Sequence, residues 1–204
     1  MSEMKKFIIT ISREFGCNAR EVGHILASKL DVPFYDRDLV DMTAQRAGIS
    51  SDSFIDSEML LDRHLKELLK AFSYGSSTSF YSEKAVMAQV DVIRELADKK
   101  ESCIFFGRCS DYILREYPNC LNIFLYAPLD HRIKHMAKDY DLTEATAAKL
   151  IKRVDLQRHN YYKYVTGKNR GDRDNKHIML DVSNFGCEGT ADIIISAVNR
   201  KFGE

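Results

Sequence analysis

The sequence has no excess of charge of either sign, because 30 lysines and arginines balance 30 aspartates and glutamates among its 204 residues. Nucleic acids and anionic membranes attract proteins that carry surplus positive charge, so this balance favours neither as a main partner. We therefore expect no nucleic-acid partner and no membrane partner. A binding site for an anion would have to be local, built from a few cationic side chains.

Long apolar runs and paired cysteines are also lacking. No stretch approaches the roughly 20 apolar residues of a membrane-spanning helix, and the run from Phe7 to Ile11 is too short for a signal sequence. The five cysteines are scattered and include no Cys-x-x-Cys pair, in a chain too large to need a disulfide framework. These absences predict a protein of the reducing cytoplasm.

Short apolar runs alternate with longer stretches of helical period, in a chain whose length suits one domain. Five runs have the pattern of buried strands: "FIITIS" (7–12), "VPFYD" (32–36), "CIFFG" (103–107), "LNIFLYA" (121–127) and "HIMLD" (177–181). Strands that alternate with helices form parallel sheets, and strands that are apolar throughout are typical of a sheet covered on both faces. We predict an α/β fold of this kind, with ligands beyond the carboxyl ends of the strands.

The segment after the first apolar run has the layout of a phosphate-binding loop without its usual lysine. In the pattern GxxxxGK[ST], backbone N–H groups and a helix N-terminus bind phosphate oxygens, and the lysine reaches the terminal phosphates. The eight positions here are Arg13, Glu14, Phe15, Gly16, Cys17, Asn18, Ala19 and Arg20, and none of the four defining positions matches. The loop length is kept, and glycine and asparagine tolerate left-handed backbone. These residues alone leave two interpretations open: a phosphate cradle, or a plain strand, turn and helix.

Four segments in order resemble the cytidylate kinase-like family, relatives of the bacterial CMP kinases. They are "ITISREFGCNAREVGHILASKLDVPFYDRDLV", "IFFGRCSDYILREYPNCLNIFLYAPLDHRIKHM", "IKRVDLQRHNYYKYVTG" and "HIMLDVSNFG", and only residues 50 to 100 show little likeness. The resemblance implies a single three-layer P-loop NTPase domain over residues 1–204, with a parallel sheet of about five strands. It also implies a helical acceptor-binding region at about residues 37–100 and a helical lid at about residues 140–172.

The resemblance further implies that the ligands are ATP, Mg²⁺ and a nucleotide or similar small phosphate acceptor. Where CMP kinases carry the Walker lysine, the cytidylate kinase-like relatives carry a small residue followed by an arginine, and Ala19 and Arg20 match that pattern. Loop residues 13–20 would then bind the phosphates of ATP. Arg153 and Arg158 in "RVDLQR" resemble lid arginines that contact the transferring phosphate. We therefore predict that Arg20, Arg153 and Arg158 are catalytic.

Five residues are predicted to bind the acceptor: Asp36, Arg37, Arg108, Asp111 and Asp155. Gly107 and Arg108 resemble the Gly-Arg-Asp motif of CMP kinases, in which Cys109 replaces the aspartate here and Asp111 is the candidate substitute. Asp155 belongs to the lid motif. Asp36 and Arg37 follow the second apolar run, where capping a helix is the simpler role for an aspartate.

Three other features are expected to be structural. His131 and His135 have helical spacing but lack a third ligand, so we expect no metal site made by protein side chains. The "Asp-Arg-Asp" stretch at 172–174, with Lys168 and Arg170 nearby, is expected to be a solvated loop. The Gly/Ser-rich stretch "SYGSSTSF" (73–80) is predicted to connect two helices.

The leading hypothesis is ATP-dependent phosphoryl transfer to a nucleoside monophosphate, with CMP or dCMP first among the acceptors. Arginine suits this chemistry, because its planar fork forms paired hydrogen bonds with phosphate oxygens. Two alternatives stay open. One is a kinase of another small metabolite, and the other is a non-catalytic nucleotide-binding module, which the missing lysine and Cys109 favour.

Overall fold

A five-stranded parallel sheet forms the centre of the computed structural model, which describes residues 5–48 and 83–203. Its strands are β1 (Ile8–Arg13), β2 (Phe34–Tyr35), β3 (Cys103–Phe106), β4 (Cys120–Tyr126) and β5 (Ile178–Asp181). They lie in the order β2-β3-β1-β4-β5, and every neighbouring pair is parallel. The predicted α/β fold is confirmed.

The described helices occupy the segments between the strands and the end of the chain. They are α1 (Ala19–Leu30), α2 (Arg37–Ala47), α3 (Glu83–Asp98), α4 (Ser110–Ile113), α5 (Leu129–Asp139), α6 (Glu144–Thr166) and α7 (Val182–Phe202), with a 3-10 turn at Arg173–Asn175. Gly186, with φ of 65°, interrupts α7. Within residues 5–48 and 83–203, no helix is both long enough and apolar enough to cross a membrane.

The core lies against a sheet that is covered on both faces. All six residues of β1 are buried, although alternate side chains point to opposite faces of the sheet. On one face, Val22 and Leu26 of α1 join Ile194 and Val198 of α7 in a single apolar cluster with the strands. Burial of this apolar surface is the main force that holds the helices to the sheet.

The chain divides into two compact units. Met1–Tyr35 and Arg94–Glu204 form the first, and Asp36–Ile93 form the second. The first unit contains all the strands of the sheet as well as helices α1 and α4 to α7. The predicted connector at 73–80 and the middle of the predicted acceptor-binding region lie outside the described residues.

The carboxyl ends of the strands meet at one edge of the sheet, because all of the strands are parallel. Arg13 at the end of β1 is paired with Leu125 of β4, and Gly107 follows β3 directly. The backbone N–H of Gly107 donates to the carbonyl oxygen of Ile11 at 2.9 Å, which holds the start of that loop beside β1. Ligands of open parallel sheets bind at this edge.

Candidate functional site

The loop between β1 and α1 is a compact turn. Gly16 has φ of 83° and Asn18 has φ of 59°, so the left-handed backbone that these residue types tolerate is present at both positions. The buried Cys17 thiol donates to the carbonyl oxygens of Glu14 at 3.2 Å and of Leu125 at 3.5 Å. The loop therefore leads from the edge of the sheet into the N-terminus of α1, an arrangement that suits phosphate oxygens.

The position of the missing lysine contributes no cation. Ala19 is the first residue of α1 and is only 4% exposed, so its methyl group is part of the core. Arg20 follows it in the first turn of the helix and is half-buried. Any cationic side chain at this loop must come from Arg20 or from other elements.

Asp155 of α6 lies against the loop and is bound by three donors. The backbone N–H of Phe15 donates to its Oδ1 at 3.0 Å. Arg132 Nη1 donates to Oδ2 at 2.7 Å, and Arg170 Nη2 donates to Oδ1 at 2.8 Å. One carboxylate of the predicted lid thus accepts hydrogen bonds from a backbone amide of the loop and from two guanidinium groups.

The Arg132 side chain of α5 contacts four groups at the loop: two backbone carbonyl oxygens and two carboxylates. It is 7% exposed, and its Nε donates to the carbonyl oxygen of Ala127 at 3.0 Å. Its Nη1 donates to the carbonyl oxygen of Phe15 at 3.1 Å, and its Nε lies 3.3 Å from Glu14 Oε2. Because the guanidinium is planar, these contacts and the one to Asp155 fix the course of the loop at Glu14 and Phe15.

Two further arginines enclose the start of the loop. Arg13 is 5% exposed, and its guanidinium lies 3.9 Å from the centre of the Phe106 ring and against Gly107. Arg170 Nη1 donates to the carbonyl oxygen of Arg13 at 2.8 Å. Gly107 has φ of 73°, and any larger residue there would collide with the Arg13 side chain.

Among the residues that the structure describes, four guanidinium groups and two carboxylates lie around this loop. The four arginines are Arg13, Arg132, Arg158 and Arg170, with the Arg158 guanidinium 5.3 Å from the centre of the Phe15 ring, and the two carboxylates are Glu14 and Asp155. Burial lowers the pKa of Arg170, and the positive charges of Arg158 and Arg13 lower it further, against the opposing effect of Asp155. Burial also raises the pKa of Glu14, which Arg132 opposes. A cluster of guanidinium groups of this kind suits an anionic ligand.

Arg108 lies in a left-handed stretch directly after β3. Gly107, Arg108 and Cys109 have φ of 73°, 57° and 56°, an unusual run because two of the three carry a Cβ. Cys109 is buried, and burial together with the charge of Asp111 raises the pKa of its thiol. Arg108 is half-buried at the carboxyl edge of the sheet, as its position in the sequence predicts.

Asp111, the candidate substitute for the missing aspartate, is fully buried. Its Oδ2 accepts a hydrogen bond from the Tyr162 hydroxyl at 3.1 Å and forms an ion pair with Lys176 Nζ, whose side chain is also fully buried. Burial and the charge of Asp111 raise the pKa of Tyr162. The structure commits this carboxylate to two protein partners, and its role toward an acceptor stays a prediction.

The remaining predicted site residues are Asp36, Arg37 and Arg153. Asp36 occupies the N-cap position of α2 but makes no side-chain capping hydrogen bond, and Arg37 is the first residue of that helix. Both belong to the second compact unit. Arg153 is half-buried on α6 two residues before Asp155, a spacing that places the two side chains on different faces of the helix. Their assignments to substrate binding and catalysis stay predictions.

The expectation of a solvated loop after α6 is wrong for Arg170. Lys168 and residues 172–174 are exposed as expected, but the Arg170 side chain is only 12% exposed and reaches both Arg13 and Asp155. The local sequence around Arg170 is polar and charged, and it carries no signal of this long-range contact. Among the described residues, no group of three or more His, Cys, Asp or Glu side chains is placed to hold a metal ion.

Comparison with known proteins supports the fold and the resemblance. The model of the cytidylate kinase-like family matches residues 8–184. No curated protein matches this chain. A crystal structure of an uncharacterized protein from Eubacterium ventriosum is 24% identical, with a TM-score of 0.74 and coverage of 96% of this chain and 99% of that one.

Two kinases of small metabolites have a similar fold. Shikimate kinase from Acinetobacter baumannii, in complex with shikimate, is 14% identical with a TM-score of 0.51, over 96% of this chain and 94% of that one. A gluconokinase from Sinorhizobium meliloti is 12% identical with a TM-score of 0.54, over 97% of this chain and 94% of that one. At these identities the likeness concerns the fold alone.

Proposed function

Because the chain belongs to the cytidylate kinase-like family, we propose that it transfers the γ-phosphoryl group of ATP to a nucleoside monophosphate, with CMP or dCMP as the first acceptors to test. An oxygen of the acceptor phosphate attacks the γ-phosphorus, the bond from that phosphorus to the bridging β-phosphate oxygen breaks, and ADP leaves. The observation that carries the proposal is the cluster of four guanidinium groups, among the described residues, around the loop between β1 and α1.

Arginines can supply what this reaction needs from a protein. Phosphoryl transfer depends on positioned positive charges around the phosphate oxygens, and little covalent chemistry falls to the protein. In the proposal, the backbone N–H groups of loop residues 15–19 hold the ATP phosphates, since the Glu14 N–H already donates to the carbonyl oxygen of Leu125 at 2.9 Å. Arg20, Arg153 and Arg158 neutralise the charge that develops on the transferred group.

Magnesium enters the proposal with ATP. Mg²⁺ in such sites keeps several waters and is bound mainly through the substrate phosphates, with one or two carboxylates. The carboxylates at the loop, Glu14 and Asp155, are both engaged by arginines. The phosphates of ATP are therefore the main ligands of the ion in this account, and the ion supplies further neutralisation of phosphate charge.

Acceptor binding is assigned first to Arg108, since it is the second residue after β3, at the carboxyl edge of the sheet. Asp36 and Arg37 belong to the second compact unit, and their role in acceptor binding stays a prediction. An arginine fork can bind two oxygens of a monophosphate, which favours a phosphorylated acceptor over a neutral one.

A non-catalytic nucleotide-binding module is the second candidate. It is favoured by the buried Ala19 in place of the lysine and by Asp155 bound to the Phe15 amide. Such a protein would bind ATP and release no ADP.

A coupled assay of ADP release distinguishes these functions. The reaction contains ATP, Mg²⁺ and one nucleoside monophosphate at a time, and Arg158→Ala is compared with Arg115→Ala. Arg115 is an exposed arginine beside Glu116 and outside the site, so its variant controls for the loss of a surface charge. The proposal predicts acceptor-dependent ADP release that Arg158→Ala lowers and Arg115→Ala does not. ATP binding without ADP release for any acceptor would favour the non-catalytic module.

A further inference from the structure

Three donors from separate elements converge on the Asp155 carboxylate. The Phe15 N–H comes from the loop, Arg132 from α5, and Arg170 from the segment after α6. Their donor atoms lie 3.0, 2.7 and 2.8 Å from the two carboxylate oxygens. Two guanidinium groups and a backbone amide are also the groups that bind phosphate oxygens in proteins.

The amide that Asp155 occupies belongs to the segment expected to face phosphates. Phe15 is the third residue of the loop positions 13–20, and its own carbonyl oxygen is held by Arg132 at 3.1 Å. The two peptide groups that flank Phe15 are thus each held by one hydrogen bond, and the N–H is directed to the carboxylate. An anion that replaced the carboxylate would meet an amide that is already oriented.

Four guanidinium groups of the described residues lie around this site. Arg132 and Arg170 pair with Asp155, the guanidinium groups of Arg13 and Arg158 lie over the Phe106 and Phe15 rings, and like-charge repulsion from Arg158 and Arg13 contributes to the lowered pKa of Arg170. One carboxylate carries a single negative charge, whereas a phosphate group carries up to two near neutral pH. A phosphate would therefore neutralise this cluster more completely than Asp155 does.

We propose that the Phe15 N–H, Arg132 and Arg170 form a phosphate-binding site that the Asp155 carboxylate holds until a phosphate displaces it. Arg170 is then a phosphate-binding residue of this chain, and Asp155 is a competitor for the same donors. The identity of the ligand as a nucleotide phosphate rests on the proposed function. The site itself is defined for any oxyanion of this kind, including pyrophosphate.

If Asp155 competes with phosphate, removal of its charge should strengthen phosphate binding. A purely structural ion pair would not have this effect. In Asp155→Asn the side chain keeps its shape and one oxygen acceptor but loses its charge, so it competes less strongly for the two guanidinium groups. Charge-assisted hydrogen bonds are roughly twice as strong as neutral ones. The variant is therefore expected to bind pyrophosphate about tenfold more tightly than the wild-type protein.

The experiment is a calorimetric titration of pyrophosphate, without metal or acceptor, into the wild-type protein, Asp155→Asn, Arg170→Ala and the double variant. Arg115→Ala is the matched control for the loss of an arginine. Arg170→Ala is expected to weaken binding about tenfold, and in the double variant the gain from Asp155→Asn should be lost. Wild-type or weaker affinity in a folded Asp155→Asn protein would overturn the proposal, because Asp155 would then be only a structural tie.

A second measurement uses the wild-type protein and does not depend on a variant that folds. Pyrophosphate is titrated while the amide resonances are followed by NMR, and the Phe15 amide should shift with the same saturation as the calorimetric curve. A Phe15 amide that does not move at saturation would overturn the site. Tighter binding in Asp155→Asn without any kinase turnover would support this site and reject the proposed function. Kinase turnover without tighter pyrophosphate binding in Asp155→Asn would support the proposed function and reject this site.

Discussion

Arg20 is the proposed catalytic cation next to the position of the missing lysine. It stands in the first turn of α1, one position after the buried Ala19. A hydrogen bond to a charged group contributes about 1.5–3 kcal/mol, so Arg20→Ala is expected to lower kcat about ten- to a hundredfold. Arg20→Lys should lose less than Arg20→Ala but still much, because an ammonium group cannot reproduce the fork. Wild-type kcat in Arg20→Ala would show that Arg20 is an ordinary helix residue.

The Ala19 position tests the same idea from the opposite direction. If the loop keeps the geometry of a P-loop, Ala19→Lys in the Arg20→Ala background should restore part of the lost kcat. Steady-state rates of the single and double variants, with thermal unfolding to confirm that each is folded, decide the question. A folded double variant with no gain over Arg20→Ala would mean that a lysine at this position does not reach the phosphates.

The individual residues of the site differ in how far the sequence predicts them. Gly16 and Asn18 adopt left-handed backbone because of their own chemistry, so residue type was sufficient. Arg170 was expected in solvent, and its contact with Asp155 exists only because the chain after α6 folds back over the loop. Asp111 was named as a candidate acceptor ligand, and no local pattern indicated its ion pair with Lys176, which is distant in the sequence. Contacts between distant segments are set by tertiary packing, which local patterns do not contain.

At the scale of elements, the packing of α1 on the end of β2 depends on a glycine. A Cβ on Gly23 would lie 2.5 Å from Cε2 of the Phe34 ring, which itself packs 5.4 Å from the Phe106 ring. Alanine favours a helix by up to about 1 kcal/mol over glycine, whereas overpacking costs about 1–3 kcal/mol. We expect Gly23→Ala to lower the free energy of unfolding by about 1–2 kcal/mol.

Urea denaturation measures this change, with Gly171→Ala as the control. A Cβ on Gly171 would meet no heavy atom within 4 Å, and its backbone is not left-handed. The control is expected to change the free energy of unfolding by less than about 0.5 kcal/mol. Gly23→Ala with wild-type or higher stability would mean that the Phe34 ring moves aside without cost.

The strands themselves were largely predictable, and the differences have local causes. The continuous apolar pattern located all five strands, because a sheet covered on both faces leaves no polar alternation. The second strand is shorter than predicted: Pro33 has no N–H to give to a ladder, and Arg37 already begins α2. The alternation of strands and helices along the chain does not determine the order of the strands in the sheet, since each connection between parallel strands is a crossover.

At the scale of the whole molecule, the stability should fall in mild acid. The His177 Nδ1 accepts a hydrogen bond from the Asn122 N–H at 2.8 Å, which requires a neutral ring and joins the start of β5 to β4. Loss of hydration and the nearby charge of Lys201 lower the pKa of His177. The unfolded chain, with a His pKa of about 6.5, then binds the proton more readily than the folded chain.

The free energy of unfolding is therefore expected to decrease as the pH falls from about 6.5 through the lower pKa of the folded state. His177→Gln keeps an oxygen acceptor for the Asn122 amide and does not titrate. Its unfolding free energy, measured by urea denaturation between about pH 5 and 7, should depend less steeply on pH. An unchanged slope would show that His177 does not contribute to the pH dependence.

The central claim is that this arginine-rich loop transfers a phosphoryl group to a nucleotide acceptor. Its most direct measurement is the identification of products by chromatography after incubation of the wild-type protein with ATP, Mg²⁺ and CMP or dCMP. The account predicts that ADP and the nucleoside diphosphate of the acceptor appear in equal amounts and only when protein and acceptor are both present. ADP formed without a phosphorylated acceptor, or bound ATP that yields neither product, would contradict it.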